Sequence, residues 1–327
     1  MPEITHQTLD LSGLRMHVAE CGEGPAVLMC HGFPELWYSW RHQPIALAEA
    51  GYHAIAPDMR GYGQTDAPED IGAYTMLHLT GDMVALLDAL KVDNAVVVGH
   101  DWGAPVAWNC ALLRPDRFRA VAGLSVPYAP RRAGTTPPST VWARRDDAMF
   151  YQAYFQEPGV AEADLGADPR MTHRRLLVGA SGDGASGPWQ GGVPDVGMVP
   201  LATGFVRSVA EPQTLPPWVT DADIDYYATE FARTGFRGGL NWYRNIDRNW
   251  QLMAPFTGAL VQQPALFIAG ERDAVLSFRG VDILIQNLTR FVPNLRKTVL
   301  LPGCGHWTQQ ERPVEVNAAL IEFLGAL

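Results

Sequence analysis

Ala95-Val96-Val97-Val98-Gly99-His100-Asp101-Trp102-Gly103 joins a short apolar, β-branched run to a stretch, residues 104–113, with helical periodicity. A strand, a tight turn and a helix in that order lift one side chain onto the tip of a strained bend. Here that side chain is the carboxylate of Asp101. Gly99 and Gly103 leave room for the strand and the helix to approach closely.

Outward from this bend, the same alternation recurs on both sides. Residues 26–30 read as a buried strand running straight into His31-Gly32-Phe33-Pro34. Residues 41–50 read as a helix stopped by Gly51, residues 53–56 as a strand, and residues 76–90 as a helix. Residues 6–11 and 14–20 alternate around Ser12-Gly13, which predicts a hairpin. After the bend, residues 120–125 predict another strand. Strands alternating with helices at this rhythm predict a mainly parallel α/β sheet. The rhythm breaks near Val126. Residues 127–258 hold no repeating strand–helix unit, only helical stretches around 145–155 and 221–234 and a Gly/Pro/Ser-rich run, 179–197, that reads as a mobile loop. The pattern returns with a strand at 264–270, a helix near 281–288, a strand at 296–301 and a last helix at 313–324. The expected division is therefore a sheet core, residues 1–130 and 255–327, interrupted by a helical lid, residues 131–254.

The chain has 327 residues, long enough to bury roughly three-quarters of its unfolded surface without staples. With 47% hydrophobic and 18% charged residues it reads as an ordinary globular protein. A net charge of −10 argues against nucleic acid or an anionic membrane surface as partner. No apolar run approaches the roughly 18 residues of a membrane span. Cys21, Cys30, Cys110 and Cys304 show no paired spacing, and Cys30 and Cys110 lie in apolar contexts that predict buried thiols. With no secretory leader pattern at the N-terminus, the expected location is a reducing cytoplasm. Asn287-Leu288-Thr289 fits a glycosylation sequon, which carries no weight without secretion.

A carboxylate is ionised at pH 7 without help, so unlike serine it needs no base to activate it. It attacks a carbonyl poorly but a strained or activated sp3 carbon well, and the product is an ester with the enzyme. Ligands of open α/β sheets gather at the carboxyl ends of the strands. Asp101, Asp273 and His306 all follow predicted strands, in the chain order nucleophile, acid, histidine. There are nine histidines, so His306 is singled out by position, between Gly305 and Trp307, and not by type. Asp273 read alone would be an ordinary loop carboxylate. The N–H groups of Phe33 and Trp102 are placed to form an oxyanion hole for the ester's tetrahedral intermediate. Neither a Walker pattern nor GxGxxG appears, and no cluster has metal-ligand spacing, so neither a cofactor nor a metal is expected.

These residues carry a family resemblance. The stretch His31 to Gln43, Asp58-Met59-Arg60-Gly61-Tyr62-Gly63, the Asp101 bend and Gly305-His306-Trp307 resemble the soluble epoxide hydrolases of the α/β-hydrolase superfamily. In the insert, Phe150-Tyr151-Gln152 with the following 154–159, and residues 235–245, resemble the two lid segments that carry the family's paired tyrosines. The resemblance covers nearly the whole chain, except about 172–212. It implies an α/β-hydrolase fold, mostly parallel sheet flanked by helices, with an inserted helical lid. It also implies that Tyr151 and Tyr243 are the lid acids. The physical case agrees: opening an epoxide leaves an alkoxide, whose charge a positioned O–H must meet. Tyr154, Tyr226 and Tyr227 are the nearest competitors for that role.

The expected reaction is hydrolysis of a small apolar epoxide by water to a vicinal diol through an Asp101 ester, with His306, oriented by Asp273, as base. Phe33, Trp102, Leu276 and Trp307 are the expected walls of an apolar pocket. A homodimer is compatible with the sequence. A rival reading is a haloalkane or haloacid dehalogenase with the same nucleophile. That enzyme needs halide donors, and Phe33 has no side-chain donor; fluoroacetate dehalogenases usually carry arginine where Trp102 stands. A non-catalytic ligand-binding relative would be favoured by a missing triad residue, and none is missing.

Overall fold

The computed structural model describes residues 2–11, 13–184 and 196–327. Strands β1 (Thr5–Asp10), β2 (Arg15–Cys21), β3 (Ala26–Cys30) and β4 (His53–Pro57) precede β5 (Ala95–His100), the strand that leads to Asp101, and β6 (Phe118–Leu124). Helices α1 (Gln43–Glu49), α2 (Met76–Ala89) and α3 (Gly103–Leu113) are interleaved with them. The insert carries a short ribbon, β7 (Ala148–Phe150) with β8 (Met198–Pro200), and helices α4 (Tyr151–Tyr154), α5 (Val160–Gly166), α6 (Pro169–Gly179), α7 (Gly204–Ser208), α8 (Asp221–Thr234), α9 (Arg237–Arg244) and α10 (Ile246–Leu252). The chain closes with β9 (Ala265–Gly270), α11 (Val281–Gln286), β10 (Leu295–Leu301), α12 (Thr308–Glu311) and α13 (Pro313–Gly325).

The large sheet runs β1-β2-β4-β3-β5-β6-β9-β10. The β1–β2 hairpin and the β2–β4 pair are antiparallel, and every other pair is parallel. Parallel strands are buried on both faces, which explains why β5 reads as an unbroken apolar run. Val97 packs with Leu86, Val106 and Trp108 of α2 and α3 on one face. Val96 and Val98 pack with Leu47 of α1 and Val316, Leu320 and Phe323 of α13 on the other. All four cysteines are unpaired and buried, Cys30 at the end of β3 and Cys304 in the turn before His306.

The insert departs from expectation at 145–155. Instead of one helix, the chain forms β7 and then the single turn α4, because Met149 pairs with Val199 and Phe150 with Met198, some 50 residues on. Such long-range pairing overrides local helical periodicity. Helices α5, α6, α7, α9 and α10 lie outside the expected helical stretches. The start of α6 is legible in retrospect: Asp168 caps it by accepting from Met171 N–H, and Pro169 occupies its first turn. Of the loop expected at 179–197, residues 185–195 lie outside the described residues. Among the described residues no helix is long and apolar enough to cross a membrane.

Candidate active site

The bend after β5 holds Asp101 at φ +49°, a left-handed conformation that costs energy for a residue with a Cβ. Backbone crowding enforces it. A Cβ on Gly99 would lie 2.0 Å from the Gly103 carbonyl oxygen, and one on Gly103 would lie 2.0 Å from that of Cys30. Only glycine lets β3, β5 and α3 meet this closely.

The Asp101 carboxylate projects between two loops. Phe33 N–H donates to Oδ1 at 2.8 Å, and Gly32 leaves the room, since a Cβ there would sit 2.3 Å from the same oxygen. The Trp102 N–H makes no hydrogen bond to the carboxylate among the described residues. On the other side His306 Nε2 stands 3.5 Å from Oδ2. His306 Nδ1 lies 3.1 Å from Asp273 Oδ1, which also accepts from Val275 N–H at 2.9 Å. Ser125 Oγ donates to the second Asp273 oxygen at 2.6 Å and lies 3.1 Å from His306 Nδ1. Asp101 follows β5, Asp273 follows β9 and His306 follows β10; β9 pairs with β10, and only β6 separates β5 from β9, so one edge of the sheet brings the three together.

Charge sets the protonation of this group. Burial alone would raise the Asp273 pKa, but His306 and the hydrogen bonds outweigh it and hold it below the usual carboxylate value. Burial likewise opposes a charge on His306, yet the Asp273 and Asp101 carboxylates together hold its pKa well above that of ordinary imidazole.

Tyr151 opens α4 and Tyr243 lies in α9, with ring centroids 5.9 Å apart and nearly perpendicular. Burial raises both phenol pKa values, and the nearby Asp101 charge raises them further. Both therefore stay protonated donors at neutral pH. The competitors are occupied elsewhere: Tyr154 O–H donates to Asp164, Tyr226 accepts from the Trp37 indole, and Tyr227 pairs with Ser39.

A pocket opens above Asp101, bounded by Phe33, Trp307 and both tyrosines, with Phe155, Phe205 and Phe278 as further apolar walls. Two expected walls lie elsewhere. Leu276 does not line this pocket; Val275 and Phe278 do. Residues 274–277 form a 3-10 turn, in which positions three apart eclipse, so Val275 and Phe278 share a side that Leu276 leaves. Trp102 does not line it either. Its indole packs edge-on against Trp242 and Tyr243, at 6.1 and 5.1 Å, behind the lid tyrosine.

Sequence reasoning missed a buried polar layer beneath the site. Glu35 accepts from Gly32 N–H at 2.7 Å and from His100 Nδ1 at 2.9 Å, while His100 Nε2 reaches the His306 carbonyl at 2.7 Å. His100 thus bridges Glu35 and the His306 backbone. Burial pushes the Glu35 carboxyl pKa up, and His100, with His31 and the Gly32 N–H, more than reverses this. A charged residue inside the apolar run 33–40 was the signal available. Among the described residues no group of three or more His, Cys, Asp or Glu could hold a metal ion.

Residues 25–313 match the family profile described as the alpha/beta hydrolase fold. The chain is 48% identical to Epoxide hydrolase A of Mycobacterium tuberculosis, over 99% of this chain and 98% of that one. It is 45% identical to Epoxide hydrolase 1 of Siraitia grosvenorii, over 99% of each. The solved structure of an epoxide hydrolase from an endophytic Streptomyces superimposes with a TM-score of 0.93 at 44% identity, covering 98% of this chain and 95% of that one.

Proposed function

The chain belongs to the epoxide hydrolases of the α/β-hydrolase fold, and from that premise we propose that it opens small apolar epoxides through a covalent ester of Asp101. Residues 131–254 act as the lid that closes the pocket. The observation that carries this reading is the two-sided hold on the Asp101 carboxylate: Phe33 N–H on Oδ1, His306 facing Oδ2.

Oδ2 attacks one epoxide carbon. A new C–O ester bond forms, the ring C–O bond breaks, and its electron pair goes to the ring oxygen. Tyr151 and Tyr243 hydrogen-bond that oxygen, and one of them gives it a proton. Attack consumes the carboxylate charge. The cause that Asp101 adds to the raised pKa values of both phenols and of His306 is lost at that moment. The phenols become better acids as the alkoxide forms, and His306, its hold on the proton weakened, releases that proton to solvent and becomes a base.

His306 then takes a proton from water, and the hydroxide adds to the ester carbonyl. Negative charge settles on Oδ1, where the Phe33 N–H already points, with the Trp102 N–H as the second donor. Collapse expels the diol oxygen, which takes the proton from His306. The acid proton left on Asp101 returns to the tyrosinate, and His306 takes a proton back from solvent once the Asp101 charge is restored, so the enzyme is regenerated. Asp273, held by Ser125 and Val275 N–H, keeps the imidazole oriented. The apolar walls support an apolar substrate and strengthen each hydrogen bond by excluding water. The four unpaired thiols support a reducing cytoplasm as its location.

The test is turnover of styrene oxide and a trans-disubstituted epoxide beside a chloroalkane. Diol formation from an epoxide is expected, and faster chloride release than any epoxide opening would favour halide displacement.

A further inference from the structure

The turn just past His306 reaches three parts of the molecule. In α12, Gln309 donates to Glu35 Oε1 at 3.0 Å, and Gln310 accepts from Arg41 at 2.7 Å and from Tyr227 O–H of α8 at 3.2 Å. Glu311 makes the most bonds. Its Oε1 accepts from Trp307 N–H at 3.0 Å, and its Oε2 accepts from Gly305 N–H at 2.8 Å and Gly182 N–H at 2.9 Å. Gly305 and Trp307 are the two neighbours of His306 in the chain. Gly182 belongs to the insert.

Other contacts fasten the same seam. His306 N–H donates to the Ala180 carbonyl at 2.9 Å, and Arg272 Nη1 donates to the Gly182 carbonyl at 2.8 Å. A Cβ on Gly182 would lie 1.9 Å from the Gly303 carbonyl oxygen. The insert backbone is thus pressed directly onto the turn that presents the imidazole. Glu311 is only 5% exposed and touches neither the pocket nor Asp101.

An ionised carboxylate is an acceptor only, with room for about four hydrogen bonds, and it suits three converging N–H groups. No neutral side chain of the same shape does. An amide in its place would turn one oxygen into a donor facing a donor, leaving a buried N–H unpaired. We propose that Glu311 is a positioning residue for His306, and that through Gly182 it makes seating of residues 180–184 a condition for the ester-hydrolysis step. The proposal rests on His306 being the base of that step.

The test separates the two half-reactions in single turnovers of styrene oxide, with ester formation and ester hydrolysis followed separately. Glu311→Gln is expected to leave ester formation within about twofold of wild type and to slow hydrolysis by about 10²-fold, the scale set by a remote change that misplaces a catalytic group by about 1 Å. Gly182→Ala, which keeps Glu311, is expected to give the same selective defect and carries the test if Glu311→Gln does not fold. In a His306→Gln background, Glu311→Gln should cause no further loss, because its effect passes through the imidazole. Equal loss in both half-reactions, or additive loss in that background, would overturn the proposal. Normal hydrolysis in Gly182→Ala would overturn the link to the insert. Failure of the underlying reading looks different: wild type would form no ester, or His306→Gln alone would turn over normally.

Discussion

Asp101 Oδ2 and His306 Nε2 face each other at 3.5 Å, an ion-pair separation longer than a well-formed hydrogen bond. The pair is therefore held by charge more than by a directed bond, and whatever removes the charge on Asp101 lowers the His306 pKa, leaving Asp273 as the charge that still holds the proton. Replacing Asp101 by Asn imitates the uncharged ester. The His306 pKa is expected to fall in Asp101→Asn relative to wild type, measured by NMR titration of the imidazole. An unchanged titration would break the link between alkylation and base formation.

Covalent chemistry predicts where solvent oxygen goes. In a single turnover in heavy-oxygen water, the label should enter the Asp101 carboxylate and not the diol. Label passing straight into the diol would mean direct attack by water.

In the proposed mechanism, replacing His306 by Gln removes the base while leaving the nucleophile. Ester formation should survive and hydrolysis should stall, so that the Asp101 ester accumulates and is seen by intact mass. Ordinary multiple turnover in this variant would remove His306 from the mechanism.

In the proposed reaction Tyr151 and Tyr243 act on the oxygen that stays with the substrate. Tyr151→Phe and Tyr243→Phe should each slow ester formation by about 10²-fold, the lower range for a positioned proton donor. The double variant should be nearly inactive, since each phenol partly covers for the other. Circular dichroism should show an intact fold, because only hydroxyls are lost. A double variant that alkylates at the wild-type rate would sink this assignment.

Stability should carry the signature of the same imidazole. The folded-state pKa of His306 is raised, so the stability it confers is complete below the ordinary imidazole value of about 6.5 and is lost as pH rises through the folded value. Asp273 has a depressed pKa, so its contribution is present above about 3.9 and is lost as pH falls through its folded value. The gap in Tm between wild type and His306→Gln should accordingly be widest near pH 5 to 6 and narrow steadily towards alkaline pH. A gap that widens above neutrality would contradict this sign.

The residues that could be read from sequence share one property: each sits at a local punctuation mark. Asp101 and Asp273 follow strands that announce themselves as apolar runs, and the glycines near Asp101 and beside His306 mark tight turns. What escaped reading depends on distant partners. Strand β7 exists because residues 198–200 return to pair with it. Leu276 and Trp102 are apolar residues within three positions of Asp273 and Asp101, and sequence distance says nothing about which way a 3-10 turn or an indole faces. Glu35 and Glu311 look like surface carboxylates until the backbone N–H groups they accept from are seen. Their partners lie in loops whose approach depends on the whole sheet.

The four buried thiols give the molecule a built-in reporter. A thiol sealed from solvent reacts with an alkylating reagent only when the surrounding structure opens, so the labelling rate counts openings. Cys304 lies in the turn that presents His306, and Cys30 lies deep against the Asp101 bend. Their relative labelling rates, with and without a bound diol, would time the breathing of the hydrolytic half of the site against that of the nucleophilic half, without adding any probe to the chain.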